Sequence, residues 1–407
     1  MSDVTVPRGG RIRAGTIPGD LVVERGATVD AEGPAGVNVS GNAEFRGNAV
    51  VNGPFQCARL ALRDGSVRVS GNLAVGGDIE GRKSKLDVAG NLVARHVDVD
   101  RELTVRGTAR GSAFEVGGFF HGGSGVEADS VQVGATFDAL GKTRVGRVSV
   151  GGRANLDACE LGELDVGGGA LLSEGVVRGA ISVGGTFEAR RRLEFGSITV
   201  GGLINLGGGG KGGSLRAGGR LRVGGDLEFE EIAVGGTVDL AGNASGDRLE
   251  VGGSVRVQGF LRLQDQIRAG GSVSVSAELA ARSVEIGGSL EARRAELREK
   301  AEVGGRVITE AGLRASSIEL GRHAIARGAL IADRVEIGGR SNAEGIFAGI
   351  AIVGSHCRVG RIVADEVEVG SGSEVGQVQY VRTLKLGRKV SMAQPAVKVE
   401  RRPAPPP

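Results

Sequence analysis

One phrase constrains this chain more than any other: apolar, any residue, apolar, Gly, Gly, returning about every seventeen residues. Its first glycine falls at Gly117, Gly134, Gly151 and Gly167 and continues in step to Gly354, Gly370 and Gly387. A unit this short cannot bury an apolar face by itself, so copies must stack on one another to make a core. Within each copy the apolar positions alternate, as in Phe114/Val116, Val131/Val133 and Ile198/Val200. That spacing belongs to a strand with one buried face. A second pair stands three and five residues after the glycine (Phe137/Ala139, Leu221/Val223), and a looser third near nine and eleven (Leu193/Phe195, Leu261/Leu263). Three short strands per repeat, separated by corners, predict an all-β fold: a single-stranded, triangular parallel β-helix, or β-solenoid. The glycines then mark a corner where the chain turns sharply, often with positive φ, and where successive backbones approach.

The 407 residues include 75 Gly but one Tyr and no Trp, which suits a narrow lumen that an indole would split. Upstream of Gly117 the glycine signature fades while the paired pattern persists, as in Val37/Val39, Ala43/Phe45, Leu60/Leu62 and Val97/Val99. The chain therefore divides into an N-terminal segment with the first irregular turns (1–20), a continuous solenoid (21–392) and a disordered, basic, Pro-rich tail (393–407). The solenoid is less regular over 21–113 and regular over 114–392. It holds roughly 22 turns of seventeen residues.

The glycine turn, as in Val69-Ser-Gly-Asn-Leu-Ala-Val-Gly-Gly-Asp-Ile, Val88-Ala-Gly-Asn-Leu-Val and Val223-Gly-Gly-Asp-Leu-Glu, resembles that of the bactofilins, polymer-forming cytoskeletal proteins of bacteria. The resemblance implies a right-handed triangular β-helix flanked by flexible tails. It also implies end-to-end assembly into non-polar filaments, head to head and tail to tail, without nucleotide. Family cores are several times shorter than this chain, and the apolar membrane-targeting segment of some members has no counterpart here.

Composition and motifs argue against most other chemistries. Lys plus Arg number 51 against 48 Asp plus Glu, a net charge of +3, too small over this length to steer the molecule onto nucleic acid. Arg190-Arg191-Arg192 and Arg293-Arg294 lie six turns apart with no aromatics interleaved, so they form no base-stacking groove. Gly207-Gly-Gly-Gly-Lys-Gly212 fits a dinucleotide fingerprint but opens no helix, and Thr136 stands where a phosphate loop before Gly141-Lys142-Thr143 needs glycine. His96, His121, His323 and His356 show no metal-ligand spacing; Cys357 points inward by phase and His356 outward. The hexapeptide acyltransferases need a period and a catalytic histidine not seen here. No enzyme activity, cofactor or metal site is expected. Cys57, Cys159 and Cys357 form no disulfide framework and suggest a reducing compartment. No basic-then-apolar leader or membrane-spanning stretch occurs, so the protein is read as cytoplasmic, with peripheral attachment to the inner membrane face left open.

A solenoid ends in unpaired N–H and C=O groups and an open apolar layer unless a cap covers it. No amphipathic cap is evident. Exposed terminal rungs are expected at Ile12, Leu21 and Val23 and at Leu384, Leu386, Val390 and Met392, docking on other copies by strand addition. The function expected is a structural, cytoskeletal protein that polymerises end to end. The alternative is a rigid spacer that recruits protein partners through its Pro-rich tail. Outside the walls, Glu285, Glu302, Glu319 and Glu336 stand two residues before the glycine, and Arg306 and Arg340 two after. They form either a solvated face or a lateral contact between rods.

Overall fold

The computed structural model describes residues 3–405; Met1, Ser2, Pro406 and Pro407, the outermost positions of the two flanking segments, lie outside the described residues. Among the described residues there is no helix. Each strand pairs in parallel with the strand one repeat on, which makes a β-solenoid of about 23 turns. Contacts divide it into two units, Met1–Gly201 and Gly202–Pro407.

In the first unit each turn has three walls. The wall that precedes the glycine corner begins with Val4–Val6, stacks on Leu21–Val23, then Ala43–Arg46 and Leu60–Arg63, and runs on to Ala113–Val116. We call this the third wall. The first wall, which follows the corner, starts with Arg11–Ala14 on Thr28–Ala31 and reaches Phe119–Gly122. The second starts with Thr16–Ile17 on Val37–Val39 and Phe55–Cys57. Alternate residues point inward, and their column partners fill the layer above and below. Phe114, Phe120 and Phe137 stack inside with ring centroids 5.4 and 5.1 Å apart. Gly122 makes room beside them, since a Cβ there would lie 2.7 Å from Val126 Cγ2. Corners, not walls, absorb changes in turn length. Cross-turn partners stand 16 residues apart at Arg144 and Glu160 but 22 apart at Asn42 and Asp20.

In the second unit the regular repeat holds the same three walls. The third wall runs from Glu231–Val234 and Arg248–Val251 through residues 283–286 and 300–303, parts of long strands that round the corners, to residues 383–386 at the end of the last long strand, Glu374–Leu386. The members of its inner column just before the glycine, from Ala217 to Val369, are all buried. Ser341, Cys357 and Ser373 form a polar ladder inside one corner. Ser341 Oγ accepts from Ala324 N–H at 2.9 Å and donates to the Gly321 carbonyl at 3.2 Å. Cys357 Sγ repeats this with Ser341 N–H and Gly338 O, and Ser373 Oγ with Cys357 N–H and Gly354 O. The ladder coincides with left-handed backbone at His323, Arg340 and His356 (φ 60, 62 and 60°), which turns the following N–H toward a side chain.

Positive φ is not what the repeating glycines supply. None from Gly117 to Gly354 has a positive φ. What each supplies is absence of a side chain. A Cβ on Gly287 would sit 2.5 Å from the Gly270 carbonyl oxygen, and one on Gly235 2.5 Å from that of Gly218. Adjacent turns meet backbone to backbone at this corner, so its column must be glycine.

A candidate assembly surface at the solenoid ends

The C-terminal end is an incomplete turn. After Leu386 the chain rounds the corner and lays Ser391–Met392 on Glu374 and Val375 of the first wall. It then lays Val397–Lys398 on Gln379 and Tyr380 of the second. Val399 N–H makes a last ladder bond to Tyr380 O at 2.9 Å. From there the chain leaves the ladder: Arg402 Nη1 reaches back to Asp365 Oδ2 at 3.9 Å, two turns below. Pro403 and Pro405 carry no N–H and cannot donate to a strand. Among the described residues, 383–386 of the third wall pair only with 366–369 beneath. Where the sequence reading places a disordered tail from residue 393, the structure lays Val397–Lys398 of that segment on the second wall. The alternation Val397-Lys-Val399 is long enough for one strand.

The expected end residues sort accordingly. Leu386 is 43% exposed, while Leu384, Val390 and Met392 are half-buried at inward positions of the last layer. At the other end Ile12 is half-buried, and so is Val4, whereas Val29 and Leu21 beneath them are fully buried. Leu21 and Val23 are a correction. Both are at 0% exposure, sandwiched between Val4/Val6 and Ala43/Phe45. The rung expected at residue 21 is the second one, because Val4-Thr-Val6 already forms a strand. That alternation was visible in the sequence, but its length of three residues left no period to recognise.

Glu285, Glu302, Glu319 and Glu336 do stack, each the register partner of the next. Glu285, Glu302 and Glu319 border a shallow groove of about 920 Å³ that Gly270, Gly287 and Gly304 also line. The cations that meet them come from their own wall. Arg268 lies 2.9 Å from Glu285, Arg334 lies 3.3 Å from Glu336, and Lys300 bridges Glu302 and Glu319. Hydrogen bonds to Glu302 and then Glu319 hold Lys300 above the usual lysine range, and Lys300 in turn holds Glu302 below the usual carboxylate range. Arg306 stands exposed on the far side of the corner, and Arg340 sits in the left-handed turn. The glutamate column is thus neutralised along its own wall. Exposed pairs of this kind contribute about 0–1 kcal/mol each.

Cys57, Cys159 and Cys357 are all free and buried, with His356 exposed beside Cys357. Burial pushes the thiols of Cys57 and Cys159 up to about 12. Among the described residues no group of three or more His, Cys, Asp or Glu side chains could hold a metal ion. No helix of the described residues is long and apolar enough to cross a membrane. The features that sequence reasoning missed are the Ser341/Cys357/Ser373 ladder and the vacant third wall. The first had a signal in the recurring Gly-x-x-Ser/Cys phrase at Gly338, Gly354 and Gly370; the second had one in Pro403 and Pro405, which cannot donate to a strand. No family model, curated protein or solved structure matches this chain.

Proposed function

We propose that the protein is a structural element that self-assembles end to end through its terminal rungs. In this reading it works in the cytoplasm, without cofactor or catalysis. One observation carries the reading: the inner column that is buried from Ala217 to Val369 ends at Leu386 with 43% exposure, beside backbone groups that no strand of the described residues covers. Unpaired strand edges with an apolar face are templates for another chain, and proteins that remain monomeric blunt them. Here Ser391–Met392 and Val397–Lys398 cover two walls, and no strand of the described residues pairs on the third. The resemblance to bactofilins supports the same function. Sedimentation and negative-stain microscopy of the purified protein without nucleotide test it: filaments are expected, and their loss in Leu386→Asp with unchanged circular dichroism. A uniformly monomeric protein would sink it.

A second reading is favoured by the strand Val397–Lys398 and the contact from Arg402 to Asp365. A tail so placed can act as a partial cap, leaving a rigid spacer whose last prolines recruit other proteins. Sedimentation of the full chain separates the two.

A further inference from the structure

The vacancy on the third wall has a shape, and the other end of the chain has a strand of that shape. The C-terminal end offers, in chain order, residues 383–386 on the third wall, Ser391–Met392 on the first and Val397–Lys398 on the second. The next strand of a continuing helix would belong to the third wall. The N-terminal end begins there: Val4–Val6 heads the third-wall ladder, Arg11–Ala14 the first and Thr16–Ile17 the second.

Resting on the end-to-end reading, we propose that the third-wall vacancy is filled by Val4–Val6 of a second copy, so that assembly is polar, head to tail. In this register Val4, Thr5 and Val6 follow Leu384, Lys385 and Leu386. The faces agree: Val4 and Val6 turn inward with Thr5 exposed, and Leu384 and Leu386 occupy inward positions with Lys385 exposed. Inward Ile12 and Ala14 come to lie over Val390 and Met392 on the first wall. Ile17 comes to lie over Lys398 on the second, where the lysine stem can cover the apolar layer while its ammonium turns to solvent. Every new pair is parallel, as every pair within the chain is. A tail-to-tail contact by two-fold symmetry would instead set the 383–386 edge antiparallel to itself, against the parallel pairing of its neighbours on the third wall. The proposal thus departs from the two-fold arrangement that the family resemblance implies.

Directed cross-linking tests it. In the proposed register Thr5 and Lys385 are neighbours on adjacent parallel strands, about 4.8 Å apart, within the span a disulfide bridges. Thr5→Cys and Lys385→Cys proteins are prepared separately, mixed before assembly and oxidised; the three native thiols are buried. The expected result is a disulfide dimer in the mixture that neither variant gives alone. Filaments with dimers from Lys385→Cys or Thr5→Cys alone would overturn the polarity while leaving end-to-end assembly intact. Filaments with no dimer in any sample would overturn the register. Unmodified protein that sediments only as a monomer would overturn the end-to-end reading itself, and the polar contact with it.

Discussion

Val369 and Leu386 are register partners on adjacent turns of the third wall, yet Val369 is 1% exposed and Leu386 43%. The two side chains have the same phase and nearly the same chemistry. What separates them is that, among the described residues, no strand pairs on the far side of Leu386. Truncating the buried partner removes packing on both sides, so Val369→Ala should cost about 2 kcal/mol. Leu386→Ala should cost under about 1 kcal/mol. Hydrogen exchange of the last turns measures both. If the end-to-end reading holds, the ranking reverses for assembly: the Leu386 variant loses filaments that the Val369 variant keeps.

The glycine corner predicts a second contrast. A Cβ at Gly287 meets the Gly270 carbonyl at 2.5 Å, whereas one at Gly33 meets nothing within 4 Å. Gly287→Ala should therefore destabilise its turn by about 1–3 kcal/mol through forced separation of two backbones. Gly33→Ala should be neutral or stabilising by up to about 1 kcal/mol, because only the unfolded chain loses freedom. Chemical denaturation of the two variants checks the order.

The ladder inside the C-terminal corner should respond to loss of a hydroxyl but not to its exchange. Ser373→Ala strands the N–H of Cys357 and the carbonyl of Gly354, which Ser373 Oγ now satisfies at 3.1 and 3.0 Å. A cost of about 1–3 kcal/mol follows from leaving buried backbone groups unpaired. Cys357→Ser keeps both bonds and should leave stability within about 1 kcal/mol. Thermal unfolding of the two proteins distinguishes them.

Acid should loosen the first turn before the rest. The Arg11 guanidinium hydrogen-bonds Asp30, with Asn52 assisting, and holds that carboxyl down at about 2. A carboxylate depressed in the folded state stabilises it fully above its unfolded value of about 3.9 and loses the contribution as pH falls through the folded value. Protection of amides in Arg11–Ala14 should thus decline between about pH 4 and 2. Asp30→Asn should already lack this contribution at neutral pH and show no further decline in that window. An identical pH profile for the two proteins would refute the coupling.

Thiol chemistry gives a simple probe of the lumen. With Cys57 and Cys159 pushed up to about 12 by burial, neither forms appreciable thiolate at pH 8. A thiol-specific reagent should leave both unmodified in the native protein and label them on unfolding in denaturant. Fast labelling without denaturant would mean that the walls open.

The walls were legible in the sequence because alternation and a period near seventeen are both written in side-chain type. Phe114, Val131, Val148 and Leu164 stand in one column by spacing, and all four are buried. The ends were legible only in part, because an end rung carries the same residues as an inner one. Nothing in Leu21-Val-Val23 says that Val4-Thr-Val6 already covers it. The glycines showed where the corner lies, but the composition alone suited two causes, positive φ and close approach, and only coordinates separate them. Likewise the Glu285 to Glu336 column was visible by phase. Its partners Arg268, Lys300 and Arg334 were not, since a flexible cation three or four methylenes long reaches carboxylates on neighbouring rungs that sequence offset does not order.

Tolerance at the corners carries an evolutionary corollary. Because strands keep their partners whether 16 or 22 residues intervene, duplication or excision of a whole coil, such as the seventeen or so residues from Gly287 to Val303, would join like to like. Gene copies of different length could then share identical termini, and extent would drift freely while the endpoints stayed under selection.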